Sequence, residues 1–187
     1  MARWVALLRG INVGGKNLIG MPALKAWFEG QGLADVQTYI QSGNVLFTSG
    51  AGADALVVTL EAGLSKAFGY EASVFLRSAR QLRAIVDGAP QGFGTRPERY
   101  RYDVIFLRKP LSPATAVARA PVMPGVDEVH EGPDVLYFSR LVRKASQSRL
   151  SRITALPIYR QMTIRNWNTT TRLLALLEAR SLTPPGR

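Results

Sequence analysis

The chain has 187 residues, is 47% hydrophobic and 20% charged, carries 24 Lys and Arg against 13 Asp and Glu for a formal net charge of +11, and contains no cysteine. Such a composition belongs to a globular protein of one domain or two small subdomains and excludes disulfides and thiolate chemistry, so a reducing cytoplasm is the expected location. No run approaches the roughly 18 apolar residues of a membrane span, and residues 1–9 are too short and wrongly patterned for a signal peptide.

In chain order, residues 4–9 (WVALLR) are a short apolar run ending in glycine, the pattern of a buried strand. Residues 11–20 are rich in glycine and asparagine and read as a loop. Pro22 suits a first helical turn, and Leu24, Trp27 and Phe28 then share one helical face until Gly30 and Gly32. Residues 36–40 and 45–47 are strands around Gln41-Ser42-Gly43-Asn44, a tight connection. Asp54 is placed to cap a helix whose Leu56, Leu60, Leu64 and Phe68 recur every four residues. Residues 73–76 form a fourth strand, and Ser78 opens a helix through Leu82, Ile85 and Val86.

The second half repeats that order. Residues 102–107 (YDVIFL) are a strand and 113–119 a weak helix, and residues 126–130 and 135–139 are strands around Gly132-Pro133. Residues 146–156 read as a basic helix and 158–164 as a strand. Asn166 then caps a last helix with Thr170, Leu173, Leu174 and Leu177 on one face. Each half is β-α-β-β-α-β-α, and its first six elements follow the ferredoxin-like βαββαβ order. The expected fold class is therefore α+β, two ferredoxin-like subdomains in tandem, at residues 1–90 and 100–187. The glycine- and proline-rich stretch 88–99 joins them.

Charge is uneven. Residues 1–139 hold 14 basic and 12 acidic side chains, a balance of +2, whereas residues 140–187 hold 10 basic side chains and one acid, Glu178, a balance of +9. An anionic partner fits that asymmetry. Compositional drift fits it too, since arginine outnumbers lysine 19 to 5.

Four polar motifs could carry chemistry. Gly10-Ile11-Asn12-Val13-Gly14-Gly15-Lys16-Asn17 matches a phosphate-cradling loop until its last position, where Asn17 lacks the hydroxyl that binds magnesium. Five residues also separate Lys16 from Pro22, so the lysine does not open a helix. What remains is either a looser anion nest, in which the Gly14 and Gly15 amides sit beside Lys16 and Arg9, or a loop that needs glycine for its turns. Gln41, Ser42 and Asn44 either hydrogen-bond a ligand at a sheet end or serve as turn residues. Arg165-Asn166-Trp167-Asn168 opens a helix, which is an anion site with a stacking surface or a simple cap and anchor. Residues 143–152, with Arg149 among four basic side chains, suit nucleic acid or a phosphorylated small molecule, or form a solvated face. His130 is the only histidine, so a histidine-rich metal site cannot be built, and neither a nucleophilic triad nor a metal is expected.

Three of these stretches carry a family resemblance. The runs Val5–Lys16, Thr38–Val45 and Arg165–Thr169 strongly resemble domain-of-unknown-function family 1697, a widespread bacterial group, and the likeness extends nearly end to end. The resemblance implies two ferredoxin-like subdomains and no established activity, cofactor or catalytic residue. Members often show Ser-Lys-Leu where this chain has Ser148-Arg149-Leu150; arginine keeps the charge but not a lysine's nucleophilic role.

These readings converge on a protein that binds a small phosphorylated or nucleotide-like anion. Arg9, Asn12, Gly14, Gly15, Lys16, Gln41, Ser42, Asn44, Arg149, Arg165, Asn166 and Trp167 are the candidate ligand residues. One alternative is an enzyme on a similar substrate, with Lys16, Tyr39 or Ser42 as acid–base or nucleophilic groups. Another is a non-specific nucleic-acid-binding protein. No cofactor and no membrane partner are expected, and the sequence carries no signal for an oligomeric state.

Overall fold

A computed structural model of the chain describes residues 1–179. The first half runs β1 (Ala2–Arg9), α1 (Met21–Gly30), β2 (Ala34–Tyr39), β3 (Asn44–Ser49), α2 (Ala53–Phe68), β4 (Ser73–Ser78) and α3 (Ala79–Asp87). The second runs β5 (Tyr100–Leu107), α4 (Pro113–Arg119), β6 (Asp127–Gly132), β7 (Val135–Leu141), β8 (Met162–Asn166) and α5 (Trp167–Ala179). The fold is α+β, with two four-stranded antiparallel sheets ordered β2-β3-β1-β4 and β6-β7-β5-β8.

The first sheet packs one face on α1 and α2. Ala6, Leu8, Val45, Phe47 and Val74 meet Leu24, Phe28, Leu56, Leu60 and Leu64 in one core. Alternate residues Val5, Leu7, Leu46 and Phe75 are buried as well. That explains why β1 is a continuous apolar run rather than an alternating one: both of its faces leave water. Helix α2 has the four-residue leucine repeat of a helix buried along one stripe, and it ends at Gly69, whose left-handed backbone closes the last turn. Its N-cap is Gly52, not Asp54; the aspartate sits in the first turn, where its charge still favours the helix dipole.

In the second sheet Ile105, Leu107, Leu136, Phe138 and Met162 form a core with Ala116 of α4 and with Leu150 and Ile153. Those last two residues lie where a basic helix is expected at 146–156. The structure has 3₁₀ turns there instead, over Val142–Gln147, Leu150–Ala155 and Pro157–Gln161. Local chemistry explains the difference. The Asp127 carboxylate accepts the Arg149 amide at 2.8 Å, and the Ser148 hydroxyl accepts that of Leu150 at 3.3 Å, so side chains take donors an α-helix would use. Pro157 has no amide to continue a helix. The same turns displace the strand expected at 158–164, which begins only at Met162.

Two compact units result, and their boundary does not follow the halves of the sequence. The first comprises Met1–Arg80 together with the chain from Leu173, and the second Gln81–Arg172. Within the first, Arg3 Nη1 donates to the Leu177 carbonyl at 2.6 Å. Within the second, the Tyr137 hydroxyl donates to the Ile85 carbonyl of α3 at 2.5 Å. Among the described residues no helix is long and apolar enough to cross a membrane.

Candidate functional site

In the first unit β1 runs antiparallel to β3 with Leu7 opposite Asn44, so the end of one strand and the start of the other share an edge. The loop after β1 folds there into a small hairpin. Gly14 and Gly15 take φ of 59° and 72°, the turn that consecutive left-handed residues make, and a single bridge joins Val13 to Lys16. Lys16 is therefore a hairpin residue, and helix α1 opens five residues later. Asn12 clamps the hairpin down. Its Nδ2 donates to the Ile19 and Gln41 carbonyls at 3.0 and 2.8 Å, while its Oδ1 accepts the Ile19 amide at 2.8 Å.

Gly43 lies beneath this knot at φ 75°. A Cβ there would stand 2.6 Å from Ile11 Cδ1, so no other side chain fits. Asn44 is wholly buried, and its Nδ2 donates to the Tyr39 carbonyl and to Ser42 Oγ, both at 3.0 Å. Gly10–Asn17 and Gln41–Asn44 are thus brought together, yet Asn12 spends its amide group on the backbone and Asn44 donates to the Tyr39 carbonyl and Ser42. Lys16 and Gln41 are exposed, and Arg9 is half-buried.

The remaining candidates belong to the second unit. Arg165 is buried on β8 opposite Val104, and Nη1 donates to Thr163 Oγ1 at 3.0 Å and to the Ile164 carbonyl at 2.8 Å. Burial pulls its pKa down to about 10, with Tyr159 acting the other way. Arg77 holds the equivalent place in the first sheet, opposite Val5, and likewise donates to its preceding carbonyl at 2.9 Å. Arg149 is held at Asp127 and at the Val122 carbonyl, 3.3 Å away. Asn166 caps α5, its Oδ1 accepting the Thr169 amide at 2.7 Å.

Asn166 and Trp167 line a hollow of about 110 Å³ with Gly94, Pro97, Tyr100, Arg101, Tyr102 and Asn168. Tyr100 and Tyr102 also border a second hollow of about 140 Å³, with Phe93, Arg96, Glu128, His130 and Ser139 among its walls. Strand alternation puts both tyrosines on one face of β5. Phe93 packs edge-on against Tyr102, Tyr137 and Trp167 at 4.9, 5.4 and 5.2 Å between ring centres. Gly94 passes so close to the indole that any Cβ would collide with Trp167 Nε1. The Arg96 and Arg99 guanidinium carbons lie 5.6 and 5.5 Å from the Tyr100 ring centre, within cation–π range.

Asp103 follows on the other face. Burial raises its pKa despite Arg140, 3.6 Å away, and Arg101. Burial likewise pushes the Tyr137 hydroxyl up to about 12. Of this wall, sequence reasoning singled out Asn166, Trp167 and, within the same motif, Asn168. The signal for the rest was the interleaving of basic and aromatic residues in Arg96-Pro97-Glu98-Arg99-Tyr100-Arg101-Tyr102, which runs from the stretch read as linker at 88–99 into the strand expected from residue 102. Among the described residues no three His, Cys, Asp or Glu side chains gather as a metal site.

Fold and site together define an α+β protein built on two like-ordered antiparallel sheets, with an aromatic–arginine hollow on the second. The chain belongs to the family described as protein of unknown function (DUF1697), whose model matches residues 1–137. Its structure is similar to that of the conserved bacterial protein SP0830 from Streptococcus pneumoniae, at 27% identity and a TM-score of 0.81, covering 94% of this chain and 98% of that one. None of the curated proteins matches it.

Proposed function

We propose that the protein binds a small nucleotide-like anion, with the Tyr100–Tyr102 wall of the second unit as its ring-binding surface. One observation carries the reading: two tyrosines on one strand face border ring-sized hollows, and two guanidinium groups stand over one of their rings. Aromatic faces take a base by stacking, and arginine takes phosphate through paired N–H donors. The +11 net charge adds a long-range attraction for an anion. The cysteine-free composition supports a bacterial cytoplasm as the proposed location, since a reducing compartment has no use for disulfides.

The test is a thermal-shift and fluorescence titration with 5′-AMP and 5′-UMP, with inorganic phosphate as control. Both nucleotides raise the melting temperature and phosphate does so less, because a ligand of the native state stabilises by mass action. Arg96→Glu with Arg99→Glu, both at exposed positions, weakens nucleotide binding at least tenfold and leaves the ligand-free melting temperature nearly unchanged. No shift with either nucleotide at millimolar concentration overturns the proposal.

A further inference from the structure

We infer that the ligand of this site is a dinucleotide step of a single-stranded nucleic acid, a reading that rests on the nucleotide-binding proposal above. The argument starts from size. A pocket enclosing a whole small ligand usually measures roughly 300–1,000 Å³. The two hollows measure about 140 and about 110 Å³, so each takes one ring and leaves the remainder of its ligand outside.

The second step is arrangement. Strand β5 lies between β7 and β8 in the sheet. One hollow reaches across β7 to β6, with Ser139, Glu128 and His130 in its wall, and the other reaches toward β8 and α5, with Asn166, Trp167 and Asn168. Tyr100 and Tyr102 belong to both. Two ring-sized hollows flanking one aromatic pair suit two successive bases of one strand better than a single free nucleotide.

Charge distributes the remaining parts. Glu128 in the larger hollow repels phosphate and accepts a hydrogen bond from a base amine or a sugar hydroxyl, so a ring and not a phosphate belongs there. Arg96 borders that hollow and Arg101 the other; both are exposed and stand where the linking and flanking phosphates of a bound strand run. The binding is tolerant of sequence, because every base has a face to stack. Duplex is excluded, since its bases are stacked on each other and cannot enter the hollows.

The experiment measures affinity for 5′-AMP, for the 5′-phosphorylated dinucleotides pApA and pUpU in RNA and DNA form, for hexanucleotides, and for a duplex of equal charge. The expected result is a rise of at least tenfold from mononucleotide to dinucleotide in the RNA or the DNA series, a smaller rise from dinucleotide to hexanucleotide, and weaker binding of duplex. Arg96→Ala and Arg101→Ala, one at each hollow, each erase the mononucleotide-to-dinucleotide gain. Equal affinity for mononucleotide and dinucleotide overturns the inference and leaves the nucleotide-binding proposal standing; absence of binding by all of them removes both. Duplex bound as tightly as single strand also overturns it, because contacts would then be to phosphate alone.

Discussion

The two sheets share a strand order and even a buried arginine, yet they cover themselves by different means. In the first unit the crossover from β3 to β4 is the 16-residue helix α2. In the second, the crossover from β7 to β8 is a succession of 3₁₀ turns. Register is indifferent to this: Val5 faces Arg77 and Val104 faces Arg165 all the same. Strand patterning and hydrogen bonding therefore set the sheet, and the crossover needs only to deliver apolar side chains to its face. Leu56, Leu60 and Leu64 do so from α2 at helical spacing, whereas Leu150 and Ile153 do so three residues apart, the spacing that eclipses side chains on a 3₁₀ turn.

Five substitutions put this contrast under strain. The largest effect belongs to Leu60→Ala, which empties the middle of the α2 stripe and lowers the unfolding free energy by about 2–5 kcal/mol in chemical denaturation. A loss below that range would mean the sheet holds its core without the regular helix. Next comes Asp127→Ala. The carboxylate accepts the Met123 and Arg149 amides at 2.9 and 2.8 Å, and leaving these part-buried donors unpaired costs about 1–3 kcal/mol together. Amide exchange at Arg149 should accelerate with it; unchanged exchange would show that other contacts hold the 3₁₀ turns.

Smaller effects come from the caps. Ser112 Oγ accepts the Thr115 amide at 3.2 Å at the start of α4, so Ser112→Ala lowers stability by about 1 kcal/mol, while Gly52→Ser at the uncapped start of α2 raises it by a few tenths. The smallest shows only against pH. Burial outweighs Arg140 and Arg101 at Asp103, so its folded pKa lies above the unfolded value and the ionised form is a cost at neutral pH. That cost disappears as pH falls through the folded pKa to below the unfolded one. Asp103→Asn should therefore stabilise the protein at pH 7, and the gain should fade on acidification. A gain that is the same at both ends of the titration would assign it to packing instead of charge.

Much of this was legible in the sequence, for reasons that can be named. Apolar runs such as residues 4–9 and 102–107 gave the strands, the leucine repeat gave α2, and Asn166 gave the start of α5, because each is a local signal that burial reinforces. The 3₁₀ crossover was not legible: Asp127, which holds it, lies 22 residues from Arg149. The aromatic wall was missed for a similar reason. Phe93 and Gly94 read as linker because their partners Tyr137 and Trp167 are distant in sequence and adjacent only once β5, β7 and β8 have paired. The asparagines of the first unit were legible as motifs but not as clamps, since Asn12 finds its Gln41 carbonyl 29 residues away.

The hydrogen bond from Arg3 to the Leu177 carbonyl spans 174 residues of chain. On a ribosome adding roughly 5–20 residues each second, the first strand waits roughly 10–35 s for the segment that partners it. During that interval the whole of Gln81–Arg172 emerges and can complete its own sheet. The unit begun first is therefore the unit finished last, and until Leu173, Leu174 and Leu177 arrive it lacks three of the side chains that are buried in its finished form. A nascent chain with Arg172 clear of the ribosome and those leucines still inside it would present an unfinished first unit to chaperones while its second unit was complete enough to close.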